Sequence, residues 1–174
     1  MIRRMGMEKF LTLMADLDDD TQERMSAWYA ELCREGFIGV QTPGLPFHIS
    51  LMTYPLDREQ EAAEIARRTA ASFEPVDVSL SHIGMFAGGK ILFIAPDRSR
   101  ELDALHDACD IGLPQEFPWT PHATMIIDEA ETVHWALPIL VRSFTPLSAR
   151  ITRLHLCAFW PTREIVSAEL GTDR

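Results

Sequence analysis

The sequence predicts an α+β fold made of two similar halves, and three observations carry that prediction. Short apolar runs of strand length alternate with segments whose apolar residues recur at helical spacing. The order strand, helix, strand, helix, strand occurs twice, over about residues 8–87 and again over 88–174. No low-complexity tract or Gly/Ser linker separates the halves, so a single domain of two pseudo-symmetric lobes is expected over residues 1–174. Duplicated units of this kind are expected to pack about a pseudo-twofold axis, with antiparallel sheets.

Phe10 to Ala15 is an apolar run of the length of a buried strand. Asp18, Asp19 and Asp20 then supply the acidic residues that favour a helix N-terminus. Met25, Trp28, Tyr29, Leu32 and Cys33 follow at the spacing of an amphipathic helix, and Gly36 is its stop signal. A loop with Pro43, Gly44 and Pro46 leads into a strand from Phe47 to Met52. Asp57 with Gln60 has the pattern of a capping box for a helix reaching about Ser72, and Val76 to Phe86 is the next strand. Lys90 to Ala95 opens the second half as a strand, joined to the last by a Gly88-Gly89 hairpin turn. Asp97 is the expected cap of a helix whose stripe is Leu102, Leu105 and Cys109. A loop from Gly112 to Pro121 precedes the strand His122 to Ile127. A helix follows over Asp128 to Val141, with Pro138 expected to kink or end it. Ser148 to Phe159 and Arg163 to Leu170 are the last two strands.

Composition limits the functions open to such a fold. Apolar residues make up 47% of the chain and charged residues 24%, enough for an ordinary core. The formal net charge is −10, and an acidic surface repels a phosphate backbone, which argues against duplex nucleic acid as partner. A small nucleotide or a single RNA end remains open, because a local pocket can be positive within an acidic protein. Cys33, Cys109 and Cys157 are too few and too scattered for a disulfide framework or a Cys-x-x-Cys site. No run approaches the roughly twenty apolar residues of a membrane span, and no signal-peptide core follows Arg3 and Arg4. The expectation is a soluble, cytoplasmic monomer with no membrane contact.

Equivalent strands of the two halves carry His48-Ile49-Ser50 and His122-Ala123-Thr124. Residues i and i+2 of a strand share a face, so each imidazole stands beside a hydroxyl. Phe47, Ile49 and Leu51 face the other way into a core, as do Ala123, Met125 and Ile127. A pseudo-twofold sets the two pairs across one cleft. One imidazole can then take a proton from an attacking water or hydroxyl while the other gives one to a departing oxygen. An ordinary pKa near 6.5 makes both forms available at neutral pH. Ser50 and Thr124 are suited to donate hydrogen bonds to nonbridging phosphoryl oxygens, where charge gathers. This is phosphoryl-transfer chemistry that needs neither a metal nor another cofactor. Six histidines in a chain of this composition give about one His-x-Ser/Thr by chance. Two copies, each one or two residues after a proline and at matching places in a repeat, are a stronger signal.

Phe47-His48-Ile49-Ser50-Leu51 and Pro121-His122-Ala123-Thr124-Met125 resemble the paired motifs of the two-histidine (2H) phosphoesterase superfamily. That superfamily includes 2′-5′ RNA ligase-like proteins and cyclic phosphodiesterases. Gly84-Met85-Phe86 before Ile91-Leu92-Phe93 also resembles its central hairpin, and the likeness in element order covers nearly the whole chain. The resemblance implies a bilobal fold around a central cleft and a metal-free mechanism, with His48 and His122 as acid–base catalysts and Ser50 and Thr124 binding the substrate phosphate. It implies a substrate with a 2′,3′-cyclic phosphate or a 2′-5′ phosphodiester, in RNA or a nucleotide. The chain has no Lys-x-Asp-Gly motif and no phosphate-binding P-loop, so ligation would be the ATP-free reversal of cleavage.

Four further residues are candidates for lining the cleft. Tyr54 shares strand parity with His48 and Ser50 and could stack on a base. Trp119, like Phe117, lies in the loop before the second motif, where it either stacks on a base or packs beneath the loop. Arg153 and His155 share a strand face and would reach phosphate if that strand borders the cleft. His82 reads as structural, and His106 and His134 as surface groups on helices. Two alternatives stay open. One is a noncatalytic nucleotide- or RNA-end-binding module of the same fold. The other is a zinc protein using His48 and His122 with His82 or His155.

Overall fold

The computed structural model describes residues 8–114 and 117–171, and in it the chain is α+β, with seven strands and four helices. β1 (Phe10–Leu17) is buried along almost its whole length, as its apolar run requires. α1 (Asp19–Arg34) follows directly. The Asp18 carboxylate accepts a hydrogen bond from the Thr21 backbone N–H at 3.0 Å, and Met25, Trp28 and Leu32 form the buried stripe. Just beyond the helix Gly36 takes a φ of +90°, which a side chain would resist. β2 (His48–Tyr54), a 3₁₀ turn (Leu56–Arg58) and α2 (Glu59–Ser72) come next. β3 (Val76–Met85) and β4 (Ile91–Pro96) pair as a hairpin whose turn holds Gly88 and Gly89, both at positive φ. α3 (Arg100–Asp107), β5 (Ala123–Ile127), α4 (Ala130–Ser143), β6 (Leu147–Phe159) and β7 (Arg163–Glu169) complete the chain.

Local details differ from the sequence expectation in three places. The cap of α3 is Ser99, whose hydroxyl accepts from the Leu102 N–H at 3.1 Å. Asp97 instead accepts from Ser81 Oγ at 2.6 Å and so ties the loop to β3. Asp57 falls inside the 3₁₀ turn, and α2 starts without a side-chain cap. α4 runs through Pro138 to Ser143. The ring removes the hydrogen bond to the His134 carbonyl, but both residues are exposed, so water can take its place.

The strands form one antiparallel sheet in the order β2-β1-β6-β3-β4-β5, with β7 also paired to β6. The length of β6 allows this: its first residues pair with β3 and its last with β7, while β1 runs along the other side. α2 packs against β6 and β7, α1 against α4, and α3 against β3 and β2. Directly opposed residues of an antiparallel ladder point to one face, so register sorts the side chains. Leu11, Leu13, Ala15, Ile49, Leu154 and Leu156 lie in the main core. The other face carries His48, Ser50, Asp16, Arg153 and His155, together with a small cluster of Met14, Cys157 and Phe159.

β2 and β5 stand at opposite ends of this strand order, yet they touch. The sheet therefore curls until its ends meet. Two side chains close the gap: Gln41 Oε1 accepts from the Ile127 N–H at 3.1 Å, and the Trp119 indole N–H donates to the Ser50 carbonyl at 2.9 Å. Both His-x-Ser/Thr motifs sit on these converging edge strands.

Candidate active site

His48 opens β2 and His122 stands directly before β5. His48 Nδ1 lies 2.8 Å from the Pro46 carbonyl, and His122 Nδ1 lies 2.7 Å from the Thr120 carbonyl. A carbonyl can only accept, so each Nδ1 carries a proton and each Nε2 is left for chemistry. The same bond to the residue two positions back thus orients both rings. Burial pulls both imidazoles below the ordinary histidine range, and in each case the carbonyl bond opposes it. His48 has a further opposing influence, the carboxylate of Asp16, while the charges of His155 and His122 push it down.

Ser50 lies one pleat beyond His48 on the same face, and Thr124 holds the same relation to His122. Among the described residues neither hydroxyl has a hydrogen-bond partner, so both remain available to a ligand. A cleft of about 640 Å³ opens between the two ends of the sheet, with Ser50, Phe86, Phe117, Trp119 and His122 among its walls. His48 and Thr124 are not in those walls. The two motif-bearing strands touch, and all four motif side chains are partly buried.

The other candidates fall in different places. Tyr54 is not at the cleft mouth: it is 0% exposed and its hydroxyl donates to the Cys109 carbonyl at 2.6 Å. The reason is a register shift in the β1–β2 ladder, where Leu13 opposes Met52 but Met14 opposes Ser50. Leu51 is the extra residue, and the bulge reverses strand parity beyond it. Trp119 does line the cleft, with its ring stacked on His106 at 4.0 Å between centroids and Arg98 5.2 Å away. His106 is accordingly a partly buried stacking partner rather than a surface group. Arg153 shares the face of His48, but its guanidinium is paired with Glu169 at 2.6 Å. His155 is 8% exposed and lies between Asp16 and Glu164, at 3.6 and 3.0 Å, so it makes internal contacts instead of cleft contacts. His82 is exposed, held by Ser81 at 2.7 Å. Among the described residues no three His, Cys, Asp or Glu side chains gather into a group that could hold a metal ion.

Sequence reasoning missed the surroundings of both histidines. The His122 ring meets Phe86 edge-on at 4.8 Å and Phe93 at 5.1 Å, and these two phenylalanines touch each other. Gly84 opposes Phe93 across β3 and β4, and a Cβ there would come within 2.5 Å of the ring. A glycine inside a strand was the available signal for this close approach. Asp16 gave a weaker one, as the acid that interrupts the buried run of β1.

The curled antiparallel sheet carries one histidine–hydroxyl motif on each of its converging edge strands. The profile described as the 2′-5′ RNA ligase superfamily matches residues 17–159. The chain belongs to that superfamily, the two-histidine phosphoesterases. Among solved structures, Escherichia coli LigT complexed with 3′-AMP is similar with a TM-score of 0.65 at 18% identity, covering 94% of this chain and 99% of LigT. TT0787 of Thermus thermophilus is similar with a TM-score of 0.65 at 12% identity, covering 95% of this chain and 100% of the other. A structure described as a phosphoesterase gives 0.64 at 19% identity, over 93% and 98% of the two chains. No curated protein sequence matches the chain. Family and fold together support an enzyme of phosphoesterase or 2′-5′ RNA ligase-like type.

Proposed function

We propose that the protein is a metal-independent phosphodiesterase that opens a 2′,3′-cyclic phosphate or cleaves a 2′-5′ phosphodiester of a nucleotide or RNA end. The observation that carries this reading is the pair of Nδ1–carbonyl hydrogen bonds, which hold both imidazoles with Nε2 available. Two such groups supply both proton transfers that the reaction needs. The unoccupied hydroxyls of Ser50 and Thr124 suit the nonbridging oxygens of a phosphoryl group. The aromatic walls of the cleft, Phe86, Phe117 and Trp119, suit a nucleobase, and Phe117 is 73% exposed. LigT, whose fold this chain shares, has been crystallised with 3′-AMP, ATP and NADP+, ligands of the size expected here.

The test is hydrolysis of the four nucleoside 2′,3′-cyclic monophosphates in the presence of EDTA, by the wild type and a His48→Ala/His122→Ala double variant. Turnover by the wild type alone is expected, and the product, a 2′- or 3′-phosphate, identifies the oxygen that leaves. Absence of turnover together with a rise in melting temperature on adding a nucleoside 2′- or 3′-phosphate would instead mark a noncatalytic binding module.

A further inference from the structure

Trp119 and Thr120 are neighbours in the chain, and each holds a member of a different motif. The Trp119 indole N–H donates to the Ser50 carbonyl at 2.9 Å, and the Thr120 carbonyl accepts from His122 Nδ1 at 2.7 Å. One dipeptide thus touches the hydroxyl-bearing residue of β2 and the imidazole that precedes β5. The two contacts differ in origin. The one to His122 is local, spanning two residues, whereas the one to Ser50 crosses 69 positions of sequence.

Ser50 needs such support more than an ordinary strand residue does. β2 ends the strand order of the sheet, and β1 is its one partner strand among the described residues. The bulge residue Leu51 follows Ser50 directly, and a bulge disrupts the ladder locally. Any backbone freedom there moves the Ser50 hydroxyl relative to a group bound in the cleft. Trp119 supplies a second fixed point. Its ring is stacked on His106 of α3 at 4.0 Å, with the planes 16° apart. The Arg98 guanidinium lies 5.2 Å from the centre of the same ring and is itself bonded to Asp103 at 2.7 Å. Pro118 and Pro121 flank Trp119 and Thr120, and each proline fixes its own φ. A phenylalanine ring can make the same stack, but only the indole has an N–H to give to β2.

We propose that Trp119 is a positioning residue whose indole N–H fixes Ser50, so that the Ser50 hydroxyl and the His122 imidazole meet the same phosphoryl group. The inference rests on the phosphodiesterase reading and adds a residue to it. The N–H is used within the protein and makes no bond to substrate. Without it the Ser50 hydroxyl is still present but less well aimed. Its bond to the phosphoryl oxygen matters most as charge develops there, so the loss falls on kcat more than on KM.

A double-mutant cycle of Trp119→Phe and Ser50→Ala tests this, with a cooperative melt confirming the fold of each variant. Trp119→Phe alone is expected to lower kcat about tenfold and to change KM by less than about twofold. In the Ser50→Ala background the same substitution is expected to change kcat by less than about twofold, because the hydroxyl it aims is gone. Equal losses in the two backgrounds mark a general packing role and overturn the proposal, as does full activity of Trp119→Phe. Gln41→Leu, which removes the other side-chain bond across the gap, is expected to act equally with and without the Ser50 hydroxyl. Coupling as strong as that of Trp119 would assign the effect to gap closure and overturn the proposal too. A further measurement needs no variant to fold. In the wild type the Trp119 indole N–H, assigned by its NMR contacts to the His106 ring, is expected to exchange with solvent far more slowly than that of Trp135, which is 62% exposed. Exchange as fast as that of Trp135 overturns the proposal. Slow exchange in a protein that cleaves no phosphodiester would overturn the phosphodiesterase reading and, with it, the positioning role, while leaving the Trp119–Ser50 bond standing.

Discussion

The chemistry proposed here rests on four side chains, and strand parity explains why they work in pairs. His48 with Ser50, and His122 with Thr124, each lie one pleat apart on the face away from the main core. If the hydroxyls meet the charge developing on the phosphoryl oxygens, Ser50→Ala and Thr124→Val should each lower kcat by on the order of 10²-fold with little change in melting temperature. Steady-state kinetics beside thermal melts checks this, and full activity in either variant contradicts the role. These pairs were legible in the sequence because alternation is a local property. Tyr54 was not, because the bulge at Leu51 cancels alternation and is set by the partner strand. Asp16 was not either, since a single acid in an apolar run gains meaning only when register places it opposite His48.

At the scale of elements, the strands and helices follow apolar period and glycine punctuation closely, whereas the caps do not. Asp97 and Ser99 are both competent cap residues, and a backbone difference of two residues decided for Ser99. The β3–β4 hairpin joins the fold to the site, because Gly84 lets Phe93 lie against its strand and Phe93 in turn flanks His122. Gly84→Ala should therefore displace the ring, cost about 1–3 kcal/mol of stability and reduce turnover. Denaturant unfolding and kcat measured on one preparation check this. A variant with both values unchanged would show that the contact does not position His122.

For the molecule as a whole, the sequence pattern revealed the elements and their repeated order but not how the sheet is assembled. β6 pairs with β1, β3 and β7, and the curl that joins β2 to β5 depends on Gln41 and Trp119 reaching across the gap. Such long-range pairing leaves no periodic trace. The buried charges also give the whole protein a pH signature. His155 is raised in the fold to about 10, above the ordinary value near 6.5. Its contribution to stability is thus fully present below about pH 6.5 and is lost as pH rises through about 10. His48 and His122 are lowered, so their contribution is present above the ordinary value and is lost as pH falls through their folded values. Urea midpoints should therefore decline on both sides of neutrality, and His155→Gln should flatten the alkaline decline; an unchanged alkaline slope would contradict this account of His155. The most direct test of the central claim is turnover of a nucleoside 2′,3′-cyclic monophosphate, with EDTA present, by His48→Ala and His122→Ala separately. Each single variant is expected to retain a cooperative melt and to lose about 10³-fold or more in kcat. A folded single variant with near wild-type turnover would contradict two-histidine catalysis in this protein.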